Sequence, residues 1–149
     1  MNRSPLRGPL LIVLVIAVAG TVVFGLRGRG GPESVGEVPA TLPSGGVVVG
    51  GSVVLKPLSP PPAHALTPAA AIAKARRYAT KRPLPASTLE AALTVNGNSH
   101  LQSKPAWIVT FTSPKATDVS QSGTPVLVKH FSVAVDATTG SFLIGFFTK

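Results

Sequence analysis

The longest unbroken apolar stretch of the chain lies near its N-terminus, between Pro9 and Leu26. These residues include no charged side chain and no side-chain amide. A helix of about 17–25 mostly apolar residues is long enough to span the hydrocarbon core of a bilayer. The pattern therefore predicts a transmembrane helix over residues 9–26, preceded by a cytoplasmic tail over residues 1–8.

The charges that flank this stretch are almost balanced, with two arginines before it and two after it. We favour a cytoplasmic N-terminus, because a short basic tail followed by an apolar run is how a signal sequence begins. Cleavage remains an alternative, since Ala17, Val18 and Ala19 have the small-x-small form of a signal peptidase site. The apolar run continues beyond this point to Phe24, which favours an uncleaved signal-anchor.

Residues 27–65 are rich in glycine and proline, which predicts a linker between the anchor and a folded domain. Two valine-rich runs, Val47–Val49 and Val53–Leu55, flank Gly50 and Gly51 in this region. That pattern indicates a small β-hairpin. An isolated hairpin is marginally stable in water, so docking on the edge of the domain's sheet is an open alternative.

The remaining residues, 66–149, begin with a clear helix signal. Thr67 can cap the free N–H groups of the first turn, and Pro68 suits the first helical position. The helix must end before Pro83. Ile72, Ala75 and Ala79 give it one narrow apolar stripe.

Residues 86–95 could continue as helix, but their alternating apolar positions favour a strand over the second half. Similar alternation predicts strands over 105–113, 126–136 and 141–147. A tight turn from Asp136 to Gly140 joins the last two strands. We therefore expect an α+β domain in which one helix packs on a three- or four-stranded antiparallel sheet. Its predicted core comprises Ile72, Ala75, Ala79, Leu93, Trp107, Val109, Phe111, Phe131, Val133, Val135 and one face of the last strand.

The chain is strongly basic, with 14 Lys and Arg against 5 Asp and Glu and a net charge of +9. Such a surplus favours anionic neighbours such as lipid head groups, wall polymers or nucleic acid. The helix and its C-terminal end carry the densest group of cations, which is a candidate patch for an anionic partner. A solvated helix surface explains the same residues, which are Lys74, Arg76, Arg77, Lys81 and Arg82.

The sequence offers little support for catalysis or metal binding. It contains no cysteine, which excludes disulfides, thiolate catalysis and cysteine-ligated metal. The three histidines (His64, His100 and His130) are isolated from one another, and we expect no metal and no other cofactor. Ser132 and Asp136 follow His130 on one predicted strand, but no nucleophile-elbow motif accompanies them. We therefore expect a protein that is not an enzyme.

The helix LTPAAAIAKARRYA, the strand PAWIVTF and the segment VAVDATTGSFL together resemble the PepSY domain. The resemblance covers roughly residues 66–145. Its most specific part is Val135 to Gly140, where a strand ends in a turn that begins with Asp136 and closes with Gly140. It implies a non-catalytic extracytoplasmic domain that binds or inhibits peptidases, with these two residues acting as turn formers. Many such domains are acidic, whereas this one is basic.

Two functions follow as expectations. The first is a single-pass protein of the cell membrane whose C-terminal domain lies outside the cytoplasm and binds an envelope protein or peptidase. The alternative is a membrane-tethered basic module that binds anionic polymers, among which nucleic acid is the partner we expect least.

Overall fold

The computed structural model describes residues 31–79, 84–118 and 127–148. Seven strands and one helix follow one another along this part of the chain. The strands form a single sheet in the order of the sequence, and all neighbours are antiparallel except the first two, which are parallel. The elements are β1 (Glu33–Val35), β2 (Val47–Val49), β3 (Val53–Lys56), α1 (Pro68–Ala79), β4 (Ala86–Val95), β5 (Lys104–Asp118), β6 (Leu127–Asp136) and β7 (Phe142–Thr148).

The sheet is buried on both faces by two separate hydrophobic clusters. Successive strand residues project to opposite faces, so Ile108 belongs to one cluster and Val109 to the other. The helix face packs against α1 through Ala71, Ala75, Trp107, Val109, Phe111, Val133, Val135 and Ala137. The inner face comprises Val47, Val49, Val53, Leu55, Ala91, Leu93, Val95, Leu101, Ala106, Ile108, Ala134, Ile144 and Phe146.

The sheet is strongly curled. Glu37 lies two residues beyond β1, yet its Oε1 is 3.5 Å from Nε2 of His130 on β6. In a flat sheet, β1 and β6 would be five strand spacings, or about 24 Å, apart. The contact therefore requires the sheet to bend until the chain leaving β1 reaches the inner face of β6.

Residues 36–46, which we call the crossover segment, connect β1 to β2 and cover part of the inner face. Val38 and Leu42 of this segment pack against the inner-face cluster. Three fully buried alanines, Ala91, Ala106 and Ala134, belong to the same cluster. Their small side chains permit a close approach, so a short irregular segment can cover the face that α1 does not reach.

The helix begins as the sequence predicts. The N–H of Ala70 donates to Oγ1 of Thr67 at 3.3 Å, and Pro68 is the first helical residue. Immediately before it, the N–H of Leu66 donates to the carbonyl oxygen of Ala137 at 2.7 Å. This bond fixes the start of α1 beside the turn between β6 and β7.

The predicted fold, a transmembrane helix followed by one helix on three or four strands, is wrong. The sheet has seven strands, because β1, β2 and β3 come from residues 33–56, which the sequence assigned to a linker. Local composition misled the prediction, since glycine and proline disfavour strands, whereas the valines between them complete the inner face. The expected hairpin does form between β2 and β3, and β3 pairs with β4.

The later strands are also longer than predicted. All of Ala86–Val95 forms β4, and β5 continues to Asp118 through an irregularity between Thr112 and Thr117. Cross-strand pairing supplies backbone hydrogen bonds that hold these polar residues in the sheet, although their sequence resembles a loop.

The membrane and transmembrane assignments are not supported either. No helix among the described residues is long and apolar enough to cross a bilayer. The helix found there, α1, has 12 residues and carries three basic side chains, whereas a span needs about 20 apolar residues. Residues 9–26, on which the prediction rested, lie outside the described part of the chain.

The burial of β3 generates a test of this fold. Leu55 is fully buried in the inner face, so Leu55→Ala should lower the free energy of unfolding by about 2–5 kcal/mol. The neighbouring Lys56 is exposed, and Lys56→Ala should change it by less than about 0.5 kcal/mol. Chemical denaturation of the two variants measures the difference; equal stabilities would mean that residues 53–56 form a linker after all.

Candidate functional site: an aromatic strip beside the helix

The turn between β6 and β7 determines where the last strand begins. Oδ1 of Asp136 accepts hydrogen bonds from the N–H groups of Thr138 at 2.9 Å and Thr139 at 2.8 Å. Gly140 donates its N–H to the carbonyl oxygen of Asp136 at 2.9 Å and has a φ of +71°. A Cβ at Gly140 would lie 2.8 Å from Cγ of Lys74, so both the backbone angle and the contact with α1 require glycine.

Four aromatic side chains lie along the margin between α1 and β7. The ring centroids of Tyr78 and Phe142 are 4.9 Å apart, as are those of Phe131 and Phe147. Gly145 lies against the second pair, because a Cβ there would lie only 3.0 Å from Cζ of Phe131. We call Tyr78, Phe142, Phe131 and Phe147 the aromatic strip.

The strip is partly open to solvent. The helix lies mainly over β5 and β6, so side chains on β7 are at the margin of the surface it covers. Tyr78 is 40% exposed, the highest exposure of any large hydrophobic side chain among the described residues. The three phenylalanines are half-buried. This arrangement leaves the amphipathic ring of Tyr78 at the surface with the apolar ring of Phe142 beside it.

Basic side chains flank the strip. Lys74 lies on the same side of α1 as Tyr78, because residues four apart are neighbours on a helix surface, and Arg77 in turn neighbours Lys74. Lys129 is exposed on β6 and precedes Phe131 by two residues, so it projects to the same side of the sheet.

The predicted cationic patch is not brought together as one surface. Arg76 lies on the other flank of α1, where its guanidinium donates to the carbonyl oxygen of Leu84 at 3.3 Å. Arg77 is exposed, and Lys74 packs on Gly140. Lys81 and Arg82 lie outside the described residues. Of the predicted set, only Lys74 and Arg77 can be placed beside the aromatic strip.

The serine, histidine and aspartate of β6 are not arranged for catalysis. Ser132 is fully buried, and its Oγ is 2.8 Å from Oγ1 of Thr110. Nδ1 of His130 is 3.2 Å from Oγ1 of Thr112, while Asp136 is bonded within the turn at the end of the strand. His130 instead connects β5 and β6 to the crossover segment.

The other histidines are also apart. His64 and His100 are exposed, and the backbone N–H of His100 donates to Oδ1 of Asn98 at 3.0 Å. In the part of the chain that the structure describes, no three His, Asp or Glu side chains come together as potential metal ligands.

Sequence reasoning missed two of the residues that define these sites. Tyr78 is absent from the candidate sites predicted above, although its position four residues after Lys74 places the two side by side on a helix. Glu37 was assigned to the linker, and no local signal indicates its contact with His130, which is 93 positions later in the chain.

No family model matches the chain, and neither the curated proteins nor the solved structures include a significant match. The resemblance to the PepSY domain therefore has no support from these comparisons and carries no argument about function.

The turn generates a pH prediction. Burial raises the pKa of Asp136, but the hydrogen bonds from Thr139 and Thr138 and the charge of Lys104 outweigh this effect and hold the pKa below its ordinary value. A carboxyl group whose pKa is lowered by folding stabilises the fold above its unfolded pKa, and this contribution is lost as the pH falls through the folded pKa. Asp136→Asn should therefore flatten the loss of stability below about pH 4.

Denaturation of the wild type and the variant at several pH values between about 2 and 6 measures this difference. Other carboxyl groups titrate in both proteins and cancel in the comparison. Identical pH profiles would contradict the assigned role of Asp136.

The buried hydroxyl pair generates a second prediction. Ser132→Ala leaves Oγ1 of Thr110 buried without its partner and should cost about 1–3 kcal/mol of stability. Adding Thr110→Val removes the unpaired group, so the double variant should be more stable than the sum of the single effects implies. Additive effects in this double-mutant cycle would show that the hydroxyl groups do not interact.

Proposed function

We propose that this chain carries a non-catalytic interaction domain that binds an acidic segment of a partner protein on the aromatic strip. The observation that carries the proposal is the exposure of Tyr78 against the half-buried ring of Phe142, with the half-buried pair Phe131 and Phe147 further along β6 and β7. Aromatic residues are enriched at the centres of protein interfaces, where they supply a large contact area at a low cost in conformational entropy.

The packing of the rings in the strip favours a protein partner over a nucleic acid. Each ring packs against another ring at a centroid distance of 4.9 Å, so part of its surface is already occupied. Base stacking requires ring faces that are open to the nucleic acid. A protein segment can instead place apolar side chains along the ring edges and bond to the hydroxyl of Tyr78.

Charge complementarity supports an acidic partner. Lys74, Arg77 and Lys129 surround the strip, and the chain as a whole has a net charge of +9. Charged groups at the rim of an interface raise the rate of association and select against partners of like charge. The same cations would attract an anionic polymer, which is the competing outcome of the test below.

The expectation that the partner is a peptidase depended on the PepSY resemblance and is not part of this proposal. Extracytoplasmic placement and the lack of catalytic activity stay predictions from the sequence. The aromatic strip supports binding whichever compartment the domain occupies.

The proposal predicts a position-specific contact at Tyr78. A photo-reactive phenylalanine analogue at position 78 of the full chain, in its native cells, should crosslink to one protein. The same substitution at Ala73, which is also exposed on α1, is the matched control and should not capture that protein. The captured protein, once purified, should bind the wild-type chain and lose at least about tenfold in affinity with Tyr78→Ala, because interface tyrosines often contribute more than 1 kcal/mol.

Equal affinity for the wild type and Tyr78→Ala would refute the proposal. Crosslinking to nucleic acid or a wall polymer, with no protein captured at position 78, would favour the anionic-polymer alternative instead. Unfolding measurements on Tyr78→Ala would verify that the domain remains folded, which its surface position favours.

A further inference from the structure

A separate pair of polar groups lies on the helix face of the sheet, on β4 and β5, away from the aromatic strip. Glu90 of β4 and Trp107 of β5 are directly opposite each other in the antiparallel register. Their side chains therefore project to the same face, and Trp107 belongs to the helix-face cluster. Because β4 and β7 are three strands apart, this pair is distinct from the strip.

Each residue of the pair has one buried polar atom that forms no hydrogen bond within the protein. These atoms are Oε1 of Glu90 and Nε1 of Trp107. Trp107 is only 9% exposed, so its indole N–H cannot readily turn towards bulk solvent. Burying such groups without a partner is costly, so two of them directly opposite each other call for a physical explanation.

The chemistry of the two atoms defines what could satisfy both. The carboxylate oxygen of Glu90 accepts hydrogen bonds, whereas the indole N–H of Trp107 only donates them. Directly opposite residues have Cβ atoms about 4.5–5.5 Å apart, so the two side chains are neighbours on the helix face. An ammonium group can donate to Glu90 but cannot accept from Trp107, and a carboxylate or phosphate can accept from Trp107 but repels Glu90. A hydroxyl group does both.

We infer that Glu90 and Trp107 form a binding site for a hydroxyl group, which accepts the indole N–H and donates to the carboxylate. A water molecule and a hydroxyl-bearing ligand share this chemistry. Glu90 is only partly buried, so the site can be reached from solvent, with Trp107 as its floor.

The sequence offers a direct reporter, because Trp107 is the chain's one tryptophan. The isotope-labelled full-length protein should give a single indole N–H resonance, which needs no further assignment. In the wild type this proton should show cross-relaxation with a bound hydroxyl proton. Glu90→Gln keeps an acceptor oxygen and should retain the signal, whereas Glu90→Leu removes the acceptor and should abolish it.

Thr88→Val is the matched control, since Thr88 lies two residues from Glu90 on the same side of β4 and is also half-buried. It should leave the indole resonance unchanged. Denaturation of every variant verifies that the fold is retained, so loss of the signal in Glu90→Leu can be assigned to the site.

Titration with glucose distinguishes the two sources of the hydroxyl group. A saturable shift of the indole resonance that is lost in Glu90→Leu would assign the site to a hydroxyl-bearing ligand. Cross-relaxation with water that glucose does not alter would assign it to a structural water. Acetate and methylammonium, which can satisfy only one of the two atoms, should not shift the resonance.

The inference is overturned if the wild-type indole proton shows neither a hydroxyl contact nor a glucose-dependent shift. It is also overturned if Glu90→Leu leaves the signal unchanged, or if acetate or methylammonium shifts the resonance as strongly as glucose does.

Discussion

The structure depends on hydrophobic contact between the N-terminal strands with their crossover segment and the inner face of the sheet. A sheet that is apolar on both faces must be covered on both, and the 12-residue helix can cover only one. Residues 33–56 supply the second cover, with Val49 and Leu55 fully buried. Without them, Ile108, Ala134 and Phe146 would lie on an open apolar surface.

The same constraint explains the aromatic strip. Alanines at positions 71 and 75 let α1 approach the sheet closely over β5 and β6, where its contacts concentrate. A short helix in this position cannot also cover β7, so the rings at that margin stay half-buried and pair with one another. The candidate interface therefore exists because α1 does not extend over β7. The turn from Asp136 to Gly140 fixes the position of β7 relative to the helix.

Polar groups within the sheet follow two different patterns. On the inner face, Thr110 bonds to Ser132, and Thr112 bonds to His130, which in turn contacts Glu37 of the crossover segment. These pairs satisfy one another across β5 and β6, and the contact with Glu37 ties them to the crossover segment. On the helix face, Glu90 and Trp107 occupy an equivalent cross-strand position but do not bond to each other. The inner-face pairs therefore have a structural role, whereas the unpaired polar atoms of Glu90 and Trp107 are the basis of the binding site that we infer.

Local sequence determined several elements of this protein. The Thr67–Pro68 start of α1, the hairpin around Gly50 and Gly51, the strand that contains Trp107 and the turn from Asp136 to Gly140 all follow from capping, turn chemistry and period-two alternation. These signals involve residues close together in the chain, so they can be read without knowledge of the fold. The cations of α1 were equally visible, although not which flank of the helix each would occupy.

Only the tertiary structure decided the number of strands and the location of both candidate sites. Residues 33–56 look like a linker because glycine and proline dominate their local preferences, and burial against distant strands overrides those preferences. Tyr78 meets Phe142 through the packing of α1 on the sheet, and Glu90 faces Trp107 through the register of β4 and β5. The curl that brings Glu37 to His130 has no local signal at all, because it arises from the requirement to bury both faces of one sheet.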